Sequence, residues 1–252
     1  AIAKSIKELN KKKVPYSEIA VLSRQNRCLT TLEVELQSKN IPYTLNSGTS
    51  FFDRSEVCDI LAYFQLALNP ELAIALQRII ARPTRNVGAS TAEVIASRMM
   101  NEDLPAYEII LDMIDNKQLR GAKAQEGAGK LAKDLQYIHE IYMNGGSPYD
   151  IISYIIIDME YRQWVMSNEK DDNRNRKNEH IGLILNIAKN SETIEEFLEN
   201  TGLSGYNENT EDKVFFGSIH GSKGWEWDNV FIMAFEKNII PSSDSISNEV
   251  DW

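Results

Sequence analysis

Nine residues late in the chain, "HGSKGWEWD" (His220–Asp228), gather a titratable ring, a hydroxyl, a cation, two glycines and carboxylates. They lie between the apolar runs "VFFGSI" and "DNVFIMA". A loop that only reverses the chain needs turn residues and nothing more. Lys223 and exposed backbone amides favour an anion. Gly221 and Gly224 permit close backbone approach and unusual dihedrals. Ser218 and His220 would stand at the tip of a parallel strand, where open α/β sheets build their sites. The plain alternative is a decorated loop with a solvated lysine. No G-x-x-x-x-G-K-[ST] pattern occurs in the chain, so this loop is not the principal phosphate cradle of a nucleotidase.

Bulk properties limit what such a loop can serve. The chain has 252 residues, enough for two modest domains or one large one. Apolar residues make up 42 % and charged residues 25 %, the balance of a soluble globular protein with a real core. The net charge of −10 excludes a generally basic nucleic-acid binder, so contact with phosphates must come from a local patch. Cys28 and Cys58 are the only cysteines. They make neither a disulfide framework nor a metal site and suit a reducing, cytoplasmic compartment. No apolar run approaches the ~20 residues that span a bilayer. "AIAKSIKELNKKK" is an amphipathic helix with a basic end rather than a signal peptide. The chain starts without Met, as a fragment would.

The elements that must position the loop follow from periodicity. Ile2, Ile6 and Leu9 repeat at helical spacing. "IAVLS" (Ile19–Ser23) reads as a buried strand, "CLTTLEVELQSKN" as a helix with Leu29, Leu32 and Leu36 on one face, and "IPYTLN" as a second strand. That order implies a parallel sheet covered by helices. From residue 47 to 209 the pattern is helical, including a single long helix over "PYDIISYIIIDMEYRQWVMS". It is interrupted by "NEKDDNRNRKNE", expected to be a charged, mobile loop. Strand character returns at "KVFFGSI" and "NVFIMA". The expected fold is therefore an α/β domain split by a helical insertion.

"VFFGSIHGSKGWEWDNVFI" resembles the T-x-H-x-x-K-G-L-E-[FW]-x-x-V-[FI] block, the fifth motif, of superfamily 1 DNA helicases of the UvrD/Rep/PcrA type. "IAVLSRQNRCLTTLEVELQSKNIPYTLNSGTSFFDRSEVCDILAYFQLALNP" is similar to that family's fourth motif and its continuation. "RPTRNVGAST" resembles its P-x-R-G-[IV]-G-x-x-T element, and "NIIPSS" the Pro-containing segment after the fifth motif. The resemblance implies a RecA-like parallel-sheet domain, 2A, over residues 1–46 and 210–252, interrupted by a mostly α-helical domain, 2B, over residues 47–209. It also implies that the family's phosphate loop and Mg²⁺ carboxylate lie upstream, in an N-terminal RecA-like domain, and that the arginine-bearing sixth motif follows residue 252.

Residue roles carry over position by position. Arg24 matches the fourth-motif arginine that reaches the γ-phosphate of ATP, and Asn26 a turn residue. Gly224 and Glu226 match residues beside the nucleotide, the carboxylate accepting from ribose hydroxyls. Ser218, in place of the usual Thr, and His220 match contacts to the phosphate backbone of single-stranded DNA, which position a strand without reading its sequence. Thr84, Arg85, Gly88 and Thr91 match an element that grips duplex phosphates at a junction, with Asn86 where Gly is common. Trp225 stands where Leu is usual and receives no role. Phe51, Phe52, Arg54, Glu56 and Asp59 match a junction motif; Trp227, Phe231, Phe51 and Phe52 are expected in the core, and Arg54 and Glu56 in hinge ion pairs. The implied function is the C-terminal portion of an ATP-dependent DNA helicase moving 3′ to 5′, using ATP and Mg²⁺ in the full-length parent. The fragment itself is expected to be inactive. The helicase part of a helicase–nuclease, or a non-catalytic DNA or protein interaction module, would share these residues.

Overall fold

A computed structural model describes residues 1–24, 29–46, 49–203 and 211–234. Asn26, Cys28, the turn at Gly48 and the "NIIPSS" segment lie outside the described residues. The chain separates into two compact units, Ala1–Arg54 with Leu198–Trp252, and Ser55–Phe197. The fold is α/β, with a parallel sheet and many helices.

In the first unit, α1 (Ile2–Lys11) leads through a short 3-10 turn (Tyr16–Glu18) to β1 (Ile19–Ser23). Then come α2 (Thr30–Ser38), β2 (Tyr43–Leu45), β3 (Val214–Ser218) and β4 (Asn229–Met233). The strands form one parallel sheet in the order β2-β3-β1-β4. The sequence pattern reads β1-α2-β2 as one unit, yet β3, almost 200 residues later, lies between the two strands. The central strands β1 and β3 are buried nearly throughout, which is why they read as continuous apolar runs.

Side-chain alternation assigns the two faces. Ile19, Val21, Val214 and Phe216 pack with Ala3, Ile6, Leu32 and Leu36 of the two helices. Ala20, Leu22 and Phe215 form a smaller cluster on the other face, joined by Trp227. The connection after β1 therefore crosses one face toward β2, and the connection after β3 leads the opposite way toward β4. Their departure in opposite directions makes the carboxyl ends of β1 and β3 the switch point of the sheet, where open α/β folds form a crevice.

The second unit is helical: α3 (Ser55–Leu68), α4 (Ala73–Ile79), α5 (Ala89–Glu102), α6 (Ala106–Asp115), α7 (Ala122–Met143), α8 (Pro148–Ile157), α9 (Tyr161–Asn168) and α10 (Asp171–Asn190). α11 (Ile194–Thr201) follows. Two expectations fail here. The segment expected as one helix from Pro148 is two, because Glu160 takes a left-handed conformation at φ 58°. The charged stretch expected as a mobile loop is mostly the start of α10. Asp171 and Asp172 occupy its first turn, where the helix dipole favours acids. Arg174 pairs with Asp171 at 3.1 Å, and Ile181, Ile184 and Ile187 bury the far half. The polar first turns hide a periodicity that only the buried half displays. Among the described residues, no helix is long and apolar enough to cross a membrane.

Candidate functional site

The register sets Ser23 beside Ser218 at the ends of β1 and β3. The Ile219 amide donates to the Ser23 carbonyl at 3.0 Å, carrying the ladder one step further. The next residue on each side is a candidate, and the two meet. Arg24 Nη1 lies 2.9 Å from His220 Nδ1 and 2.8 Å from Nε2. A guanidinium can only donate, so the imidazole must offer a lone pair, as its neutral form does. Both side chains are exposed, and a contact between exposed groups is cheap to exchange for another partner.

Backbone and side-chain bonds shape the turn that follows. Ser218 Oγ accepts the Gly221 amide at 3.1 Å, which leaves its own proton available to donate elsewhere. Ser222 donates its amide to the Ser218 carbonyl and its hydroxyl to that of Ile219. Trp225 N–H donates to the Ser222 carbonyl at 3.0 Å. Gly224 sits at φ +89°, a conformation that strains any residue with a Cβ. Asn46, directly after β2, holds the turn from the side. Its amide donates to the Phe216 carbonyl at 3.0 Å and its Nδ2 to the Gly221 carbonyl at 2.7 Å. Asn46 had no assigned role. Its only signal was an Asn placed directly after a strand.

Gly224 and Glu226 are exposed on the same turn. Trp227 and Phe231, expected in the core, are half-buried. They pack on opposite faces of the sheet, against the smaller and larger clusters respectively. Phe51 is buried and Phe52 half-buried. Phe51 is fixed by Glu33, whose carboxylate accepts the Phe51 amide and the hydroxyls of Ser50 and Tyr43. Burial pushes the Glu33 carboxyl above its ordinary value despite these bonds.

The second group of candidates belongs to the helical unit. Thr84 and Arg85 line a cleft of about 610 Å³ with Asn86, Lys123, Lys130 and Trp164. Thr84 is exposed, and its Oγ1 accepts from Trp164 Nε1 at 3.3 Å. Asn86 takes φ 57°, which Asn and Gly tolerate better than other residues, so Asn can stand where the resembling family has Gly. Gly88 caps α5 at an ordinary φ of −79°, and its carbonyl accepts the Thr91 amide.

Arg85 departs from its expected role. It is only 6 % exposed. Its guanidinium lies 5.8 Å from the Tyr63 ring centroid and 4.0 Å from Asp134, and donates to the Pro83 carbonyl. A guanidinium so enclosed has little surface to offer a phosphate. Its backbone is packed as well: a Cβ on Gly127 of α7 would come within 2.0 Å of the Arg85 carbonyl oxygen, a close approach that requires glycine. Glu56, expected in a hinge ion pair, is buried and meets the His180 ring at 2.5 Å. Asp59 pairs with Arg78 and Arg82.

The chain as a whole is similar to known proteins. The chain is 29 % identical over 252 residues to "ATP-dependent DNA helicase PcrA" of Bacillus subtilis, covering 93 % of this chain and 33 % of that protein. It is 27 % identical over 235 residues to "Probable DNA helicase II homolog" of Rickettsia felis, covering 92 % and 36 %. It is 26 % identical over 267 residues to "ATP-dependent DNA helicase Rep" of Buchnera aphidicola, covering 98 % and 40 %. The chain thus spans between a third and two fifths of the length of these relatives. The profile of the UvrD-like helicase C-terminal domain matches residues 1–251, and the chain belongs to that family.

Proposed function

We propose that this chain is the 2A/2B portion of an ATP-dependent DNA helicase that moves along single-stranded DNA, 3′ to 5′. The first unit would be the RecA-like domain and the helical unit the insertion. The Arg24–His220 contact carries the reading. It puts the candidate γ-phosphate ligand and the candidate DNA ligand in direct contact at the switch point of the sheet. Arg24 would stabilise charge developing on the γ-phosphate, Glu226 would accept from the ribose, and Ser218 and His220 would donate to a DNA phosphate. An anion that draws Arg24 away releases the imidazole to seek another partner, which links the two sites through one shared contact.

Among the described residues, no cluster of three or more His, Cys, Asp or Glu could hold a metal ion. In this reading the carboxylate that holds Mg²⁺ belongs to the N-terminal RecA-like domain of a longer parent. The N-terminal RecA-like domain of a longer parent, single-stranded DNA and a duplex junction are the partners in this reading, and the compartment is cytoplasmic. In the helical unit, the duplex grip would fall to the exposed Thr84 and the α5 amino end near Gly88 and Thr91, with Arg85 as its internal support.

The test is steady-state ATP hydrolysis by the full-length protein with single-stranded DNA. Arg24→Ala should lower turnover by ~10²–10³. His220→Ala should weaken strand binding and DNA stimulation together, equally for unrelated sequences. Turnover of Arg24→Ala within about twofold of wild type removes Arg24 from the nucleotide and leaves it an exposed strand-end arginine.

A further inference from the structure

Trp225 is the one aromatic residue of the turn without a role. Its indole is 61 % exposed, although tryptophan carries more apolar surface than other side chains. It is nevertheless held in place. The Trp225 and Trp227 rings lie 7° from parallel with centroids 6.1 Å apart. Phe215 sits 4.4 Å from Trp227 and 5.7 Å from Trp225, and belongs to the small core cluster of that face. The backbone of Trp225 is tied to Ser222. An aromatic plate fixed before binding loses little further freedom when a ligand stacks on it. The same turn carries His220 and Lys223, donors suited to phosphate. A single strand presents those two features together, a phosphate and, one sugar away, the flat face of a base. Proteins that track single strands pair a basic groove with stacking aromatics for that reason.

We infer that Trp225 is a stacking platform for a base of single-stranded DNA, braced by Trp227 and Phe215. The inference rests on the reading of this edge as a single-strand track. It adds a contact to the base itself, which the hydroxyl and imidazole do not supply. Because every base has a π face, the platform would strengthen binding without choosing a sequence.

The experiment uses the full-length protein and two fluorescent oligonucleotides of equal length, one oligothymidylate and one abasic, at matched ionic strength. Trp225→Ala should weaken binding of the base-bearing strand by roughly 5- to 150-fold and leave the abasic strand unchanged. Trp225→Phe should recover most of the loss. Equal losses on both strands, or no loss on either, overturn the platform while leaving the helicase reading intact. Reduced binding of a fluorescent ATP analogue with normal strand affinity moves the indole to the adenine and also overturns it. Val230 and Ile232, 48 % and 50 % exposed, lie on the same sheet face as Phe215. A lowered melting temperature with unchanged affinity would therefore make Trp225 part of a protein-covered surface, against the inference. Wild-type protein that binds neither strand overturns both readings.

Discussion

Arg24 and Arg85 are the two arginines that the sequence marks for phosphate, and the fold treats them in opposite ways. Arg24 ends a buried strand and stands exposed, touching an equally exposed imidazole. Arg85 lies in a turn between helices and is enclosed by Tyr63, Asp134 and a carbonyl. A match to a family motif was the warrant for both. The difference lies in what each costs to redirect. Moving Arg24 to a ligand exchanges one exposed contact for another. Moving Arg85 would leave Asp134 as a buried charge that already has one oxygen without a hydrogen-bond partner and whose carboxyl burial holds above its ordinary value.

That contrast breaks most sharply under mutation. Arg85→Ala should destabilise the protein by about 3 kcal/mol or more in urea unfolding, because an unpaired buried acid remains. Adding Asp134→Asn should return a large part of the loss. Arg24→Ala should change stability by no more than about 0.5 kcal/mol. If Arg85→Ala instead proves neutral, the enclosed geometry is not the one populated in solution, and Arg85 returns as a phosphate ligand.

Asn46 sharpens the comparison with a smaller effect. Asn46→Ala removes the bond to the Gly221 carbonyl and should cost about 1 kcal/mol. It should weaken single-strand binding along with stability, since it loosens the turn that carries His220. Unchanged strand affinity in that variant would separate the turn's shape from the track.

The smallest effects concern two buried glutamates, one in each unit and each 3 % exposed. Burial raises the Glu33 carboxyl. At Glu56 burial acts in the same sense, but the His180 ring, the residue's own backbone amide and the Ser55 hydroxyl together outweigh it and hold the carboxyl low. The signs of linkage therefore oppose. Glu56 contributes stability above its unfolded value of 4.5, lost as pH falls through its lowered folded value. The Glu33 contribution is present below 4.5 and is lost as pH rises through its raised value. Unfolding titrations should show Glu56→Gln costing more at pH ~7 than at pH ~4, and Glu33→Gln the reverse. The same trend in both variants would mean that one of the two environments is misjudged.

The sequence by itself determined most of the kinds of element and, at β1 and β3, the residues that end them. β1 and β3 read correctly as buried strands, and Ser218 and His220 as the residues at a strand tip, because side-chain period and turn chemistry are local properties. The first half of α10 escaped because its opening turns are polar on every face, so periodicity had nothing to register. The tertiary structure alone decided that β3 enters between β1 and β2. That placement puts His220 against Arg24 across a separation of 196 residues and lets Asn46 hold the turn. The entropy of closing a loop rises only slowly with its length, so separation along the chain says little about which strands pair. The fold also decided that Arg85 faces inward, since a charge can be buried only where a partner such as Asp134 is brought to meet it, and that partner lies on α7, about 50 residues further along the chain.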